Sequence, residues 1–359
     1  MAARSSQARA GLLIGLLLFM SIQFALLAWI SFCRPALIDI PFQMRLESLE
    51  KVETAPVDLC IWCIGSSRMM YGLQADLVSR DMSQQLERNT RLVNLGFPGC
   101  GPLGSWLYLN RLLSRVHKPD LILFEVMPGL LSYPPDLEPM EWNRLHPSRL
   151  LCGEFEELQR LGVPLDKLRF GNETNGLSPY CPLYSQRVNL LSRSFPSWLP
   201  NQFVFDIQAA CDPLRFCSPP ESVHKTGAFE KAFQQTISAY RPYLEHWQIG
   251  SPAAKAIGSF QAKCAQNGIP CLGLWMPESE EFQRLSSTRS EKNVADFLSE
   301  RFSNAEWINA RNWCERGCFW DGHHLHPQGG AQFSRQLAKV LSARFENSNR
   351  NQVRLEANP

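Results

Sequence analysis

A hydroxyl, an imidazole and a carboxylate can together carry out acyl chemistry without a cofactor, and this chain holds such groups at two distant places. The first is Gly65-Ser66-Ser67-Arg68, which closes an apolar run. A serine at such a turn is exposed, lies beside the unpaired N–H groups of a following helix, and can be activated by a histidine from elsewhere in the chain. Gly and Ser are also common turn residues, so a phosphate-binding or purely structural turn has the same composition. The second place is Trp320-Asp321-Gly322-His323-His324-Leu325-His326-Pro327, far downstream. Asp321 and His324 stand three apart in a loop. At that spacing the carboxylate can bond one imidazole nitrogen and fix the tautomer, while the other nitrogen faces a nucleophile.

Other residue patterns point to less. His323, His324 and His326 are close enough in sequence to suggest zinc, and in an extended loop His324 and His326 would point the same way, but no third partner with recognisable spacing accompanies that pair. One catalytic histidine beside two surface histidines explains the cluster, so no metal and no cofactor are expected. His224 and His246 fall in a poorly patterned stretch and carry no catalytic expectation. Twelve cysteines are scattered rather than grouped as two CxxC knuckles. Cys60 and Cys63 have CxxC spacing but lie inside the apolar run, where they read as small core side chains. Cys211/Cys217 and Cys314/Cys318 each bracket a short loop and are the better disulfide candidates for an exported domain. Asn172-Glu173-Thr174 is a glycosylation sequon if the host glycosylates. With 36 Lys+Arg against 34 Asp+Glu, and no long basic run with interleaved aromatics, nucleic acid is not an expected partner.

The elements that must position these groups follow from patterning. Residues 57–64 form a short apolar run ending at the serine turn. A second run at 91–95 ends in Gly96-Phe97-Pro98-Gly99-Cys100-Gly101, and an apolar stripe predicts a helix over 103–116. A third run covers 121–126. Strand, turn, helix and strand in this order imply an α/β fold, three layers around a mostly parallel sheet. Between about 131 and 250 prolines are frequent and no clean period appears, which reads as an insertion or cap over the sheet's carboxyl edge. Sheet logic resumes with a helix near 253–267, a strand at 269–275, a helix near 290–302 and a last helix at about 330–345. A polar tail, 346–359, is expected to fray.

Before this domain, residues 11–32 form about 22 uncharged positions, long enough at about 1.5 Å per residue to span a bilayer. Arg4 and Arg9 precede the stretch without an acid, which places residues 1–10 in the cytoplasm and everything after a connector at 33–56 outside, with Trp29 as an interfacial anchor. The stretch exceeds a usual signal-peptide core, and no clear small-x-small cleavage site follows it. A retained signal anchor is therefore expected.

A strand ending in Gly-x-Ser, then Asn-x-Gly-x-x-Gly, then Asp-x-x-His ahead of the last helix resembles the SGNH (GDSL-like) hydrolase superfamily over about 57–345. The resemblance implies Ser67 as nucleophile, His324 as base and Asp321 as its acid, with the N–H groups of Ser67 and Gly99 in the oxyanion hole. It also implies an esterase or O-acyltransferase acting on an acyl ester, such as that of an extracytoplasmic polysaccharide, with a membrane acyltransferase as potential partner. Arg68 and Asn94 are candidate substrate contacts. The chain departs from the family at the third block: Val126-Met127-Pro128-Gly129 lacks the asparagine that supplies a third oxyanion donor, which Glu125 or Arg68 would have to replace. The alternative is a degenerate scaffold that binds glycan or protein without turnover.

Overall fold

The computed structural model describes residues 2–34, 37–52, 56–143, 228–302 and 307–356, with 145, 149–151, 153–165, 168, 183, 187, 190–191 and 195–199 between them. Cys211, Cys217, His224 and the sequon at Asn172 lie outside the described residues.

Five parallel strands make one sheet, β1 (Leu59–Gly65), β2 (Thr90–Gly96), β3 (Leu121–Glu125), β4 (Cys271–Trp275) and β5 (Trp307–Asn309), in the order β2-β1-β3-β4-β5. Helices flank it on both faces, so the fold is the expected α/β type. Strands covered on both sides need apolar residues at every position rather than alternate ones. β1 shows this: Trp62 and Ile64 enter one core, Ile61 and Cys63 the other, all with no exposed surface. Cys63 is thus the core residue its run implies, and burial pushes its thiol up.

The first core packs the sheet against α2 (Ile40–Val52), α5 (Pro102–Leu113), α7 (Glu154–Leu161), α9 (Ser251–Gln266) and α11 (Thr288–Arg301). The second packs it against α3 (Ser67–Gly72), α4 (Ala75–Leu86) and α12 (Pro327–Glu356). From the insertion, α6 (Pro128–Leu131) and α8 (Ala228–Leu244) meet α10 (Glu280–Gln283) around Leu130, Leu244 and Phe282.

The membrane stretch is helical: α1 (Ala2–Ala28) runs into a π turn over Trp29–Cys33. Its 20-residue portion Arg9–Ala28 has a mean hydropathy of 2.3 and is long and apolar enough to cross a membrane. Two segments depart from the sequence reading. The connector holds α2, whose Phe42, Leu46 and Leu49 are buried in the first core, so the folded unit begins before residue 56. The final helix runs through the expected tail to Glu356.

Register sets the site. Gly65 pairs with Gly96 and Ile64 with Phe124, so the turns after β1 and β2 and the last residue of β3 emerge at one level of the sheet.

Candidate active site

At that edge the chain turns directly from β1 into α3. Ser66 is the N-cap: its hydroxyl accepts from the N–H of Arg68 at 3.2 Å, satisfying one free donor of the first turn. Ser67 is therefore the first helical residue, half-buried, with its side chain at the sheet's carboxyl edge.

The turn is held from below by Glu125 at the end of β3. Its carboxylate accepts from the Ser66 N–H at 2.6 Å and the Ser66 hydroxyl at 3.1 Å. Burial raises the Glu125 carboxyl, and Arg68 and these two bonds offset part of the rise. Gly65 makes room for it: a Cβ there would lie 2.5 Å from Glu125 Cβ. Gly65→Ala is expected to cost about 1–3 kcal/mol through this overlap, read as a lower denaturation midpoint.

His324 and Asp321 arrive on the loop between β5 and α12. A backbone bridge pairs Phe319 with Leu325, and the Trp320 N–H donates to the His324 carbonyl at 2.8 Å, which pins the loop as a tight arch. Inside it Asp321 Oδ1 accepts the His324 N–H at 2.9 Å, and Asp321 Oδ2 lies 2.8 Å from His324 Nδ1. The opposite ring nitrogen, His324 Nε2, stands 2.8 Å from Ser67 Oγ. Hydroxyl, imidazole and carboxylate, 257 residues apart in sequence at the first link, form one hydrogen-bonded line. Tyr71 packs its edge against the His324 ring, centroids 5.9 Å apart.

The three histidines separate into three roles. His326 leaves the line and caps α12, its Nδ1 accepting the N–H groups of Gln328 and Gly329 at 3.1 and 3.2 Å. His323 is not a surface residue. It is buried, stacked on Phe282 and edge-on to Tyr240, with Nδ1 3.3 Å from Asp321 Oδ1. Burial lowers it to about 4, so it is neutral at physiological pH. For Asp321, burial pushes the carboxyl up, but the adjacent His323 and His324 outweigh it and hold it well below its ordinary value. Asp321, His323 and His324 also bring three ligand atoms within 4.8 Å of one another. An ion held there would compete for the carboxylate and nitrogen that make the Asp321–His324 bond.

The insertion contributes a group that no motif marks. Thr236 on α8 donates its hydroxyl to Asp321 Oδ2 at 3.3 Å, while Tyr240 one turn later covers His323. A donor shared with the acid fixes its orientation and moderates its charge. Thr236→Val is expected to lower kcat several-fold, on the order of one weak hydrogen bond, with Thr236→Ser restoring it. Comparing kcat/KM profiles against pH for the three forms checks this.

Neither expected substrate contact faces the site. Arg68 is 1% exposed, donating to the carbonyls of Met276 and Pro277 at 2.8 Å each and to Glu278 at 3.2 Å. Asn94 is buried. Its amide donates to the Met69 and Leu73 carbonyls at 2.9 and 3.0 Å and its oxygen accepts the Gly96 N–H, so it ties β2 to the helix carrying Ser67. With Glu125 and Arg68 both committed inside the fold, neither replaces the third-block asparagine.

Gly99 occupies the turn after β2 with φ 65°, half-buried, inside the turn closed by the bond from Cys100 N–H to Phe97 O. This turn is braced from two sides. Arg45 of α2 donates to the Gly96 carbonyl and lies 4.4 Å from the Phe97 ring centre. From the insertion, the buried Glu141 carboxylate accepts the Gly104 N–H at 2.7 Å at the start of α5. Burial raises Glu141 to about 8 against these backbone bonds.

Cys314 and Cys318 are free thiols rather than a disulfide. Cys314 is raised to about 12 by burial and by its neighbour Cys318. Comparison with models of protein families and with curated proteins finds no match.

Proposed function

We propose that this chain is a membrane-anchored serine hydrolase or O-acyltransferase of the SGNH type. The observation that carries the reading is the Ser67–His324–Asp321 line, 2.8 Å at each link, on the carboxyl edge of a parallel sheet. His324 Nε2 takes the proton of Ser67 as the hydroxyl attacks an acyl carbonyl. The Ser67 and Gly99 N–H groups receive the developing oxyanion, and His324 returns the proton to the leaving alcohol. Water, or a second alcohol, then enters by the reverse path and releases the acyl group. Asp321 holds the tautomer and stabilises the imidazolium.

The arginines at 4 and 9 ahead of the apolar helix favour a cytoplasmic N-terminus and an extracytoplasmic catalytic domain. In that compartment the acyl ester of a polysaccharide, with a membrane acyltransferase as donor, is the substrate class that the resemblance suggests. The missing asparagine favours a second reading, a binding scaffold without turnover, since one oxyanion donor is typically worth about 2.7–4 kcal/mol.

A fluorophosphonate probe separates the two. The enzyme reading expects covalent labelling of the full-length protein in detergent, lost in Ser67→Ala. A folded wild-type protein that takes no label favours the scaffold.

A further inference from the structure

α1 is not bare along its length. Met20, Gln23, Leu26 and Ile30 are less exposed than their neighbours, with Gln23 and Ile30 at 1%, while Ile22 and Phe24 are 49% and 61% exposed. Positions three and four apart share one helix face, so a stripe of the apolar helix is covered by protein. The contact is specific at Gln23: its Oε1 accepts the backbone N–H of Leu183, in the insertion, at 3.1 Å.

The depth of that bond matters. Gln23 lies nine residues before Phe32, about 13 Å along the helix, against a hydrocarbon leaflet of about 15 Å. With α1 spanning the bilayer, the Leu183 amide is therefore inside the leaflet on the catalytic domain's side. Backbone donors there must be satisfied by protein, and a polar side chain in a spanning helix is costly unless it has a partner. One bond satisfies the Leu183 amide and the Gln23 oxygen, while Gln23 Nε2 is buried with no hydrogen-bond partner among the described residues.

The same stretch of insertion carries apolar surface that water would disfavour. Leu183, Phe195 and Trp198 are 45%, 52% and 71% exposed, and the Phe195 and Trp198 rings stack with centroids 4.9 Å apart. Large aromatics of this kind gather at the membrane interface.

We infer that Leu183, Phe195 and Trp198 form a second membrane attachment beside α1, and that its occupant is bilayer lipid. The Leu183–Gln23 bond joins it to the spanning helix, and it is independent of the catalytic reading. The domain is then held to the membrane at two points, and the cap cannot swing freely.

Photocrosslinking tests this in the full-length chain, reconstituted in phosphatidylglycerol/phosphatidylcholine nanodiscs, with p-benzoylphenylalanine replacing Leu183 or Trp198. Phe19, 46% exposed on the helix, is the lipid-facing control, and Lys292, exposed on the domain, the aqueous control. Lipid adducts at 183, 198 and 19 but not at 292 are expected by mass spectrometry. Absence of a lipid adduct at 183 or at 198, or crosslinks to a second copy instead, overturns the inference. So does absence of an adduct at 19, because α1 would then not lie in lipid.

Discussion

Ser67→Ala and His324→Ala should each lower kcat for ester hydrolysis by up to about 10⁶-fold, and the double variant should be no worse than either. The reason is the geometry of the line. Ser67 Oγ has no other base at hydrogen-bond distance among the described residues, and His324 has no other nucleophile to serve. Removing one end leaves the other without work, so the losses do not add. Asp321→Asn should cost less, about 10⁴-fold. An asparagine can offer its NH₂ to His324 Nδ1, which puts the ring proton on Nε2, where it blocks proton transfer from Ser67. Initial rates with p-nitrophenyl acetate decide the matter. Losses that multiply in the double variant, or a His324→Ala variant with unchanged turnover, would remove the line from the mechanism.

The second large effect is on stability. Arg68→Met should destabilise the protein by about 3–5 kcal/mol, the usual consequence of removing one partner from a buried charge network. Arg68 lies between Glu125, 3.8 Å from its Nε, and Glu278, 3.2 Å from Nη1, and all three are buried. Glu278 keeps Arg311 at 2.7 Å and the Trp275 indole N–H at 3.0 Å, but among the described residues Glu125 keeps only Ser66 as a hydrogen-bond partner. The carbonyls of Met276 and Pro277 also lose their donor.

The pH dependence has a definite sign. Burial pushes Glu278 up, but Arg68 and Arg311 outweigh it and hold its carboxyl below the ordinary 4.5. A carboxyl with a lowered folded value contributes stability above that ordinary value and loses it as the pH falls through the lowered one. In Arg68→Met that contribution shrinks, and Glu125, already raised by burial, rises further and favours its protonated form. The deficit of the variant is therefore largest near neutral pH and narrows in acid. Urea midpoints in detergent at pH 7 and pH 4 read this. A deficit that grows on acidification would contradict the network's assignment.

The sequence made the Ser67, His324 and Asp321 groups legible because they sit where residue type is constrained. Gly65 must admit Glu125, Ser66 must cap α3, and Asp321 and His324 must face each other across a three-residue arch. The strands β1 and β3 were legible for the related reason that a strand buried on both faces leaves a nearly unbroken apolar run, and β2 and β4 through their shorter apolar cores. What stayed hidden depends on burial and distance. Arg68 looks like a surface cation beside a nucleophile, and nothing local reveals that its guanidinium is directed into a network with Glu278 of a different strand's exit loop. Asn94 carries its motif position yet spends its amide on α3. Thr236 belongs to a stretch without period or motif, so its hydroxyl on Asp321 could not be foreseen. The helix α2 was read as connector because its few apolar positions are separated by polar ones, and β5 is only three residues long.

The brace between α2 and the turn at Gly96 bears on how far the domain can stand from the apolar helix. Only residues 34–39 separate the π turn from α2. Since Arg45 and Phe42 fasten α2 to the body of the domain, those six are the whole leash, no more than about 20 Å when fully drawn out. With the apolar helix in a bilayer, as proposed, a domain on so short a tether stays within a thin shell above the lipid, and the substrates of the proposed activity are those carried to that shell, on a surface polymer or on an embedded carrier.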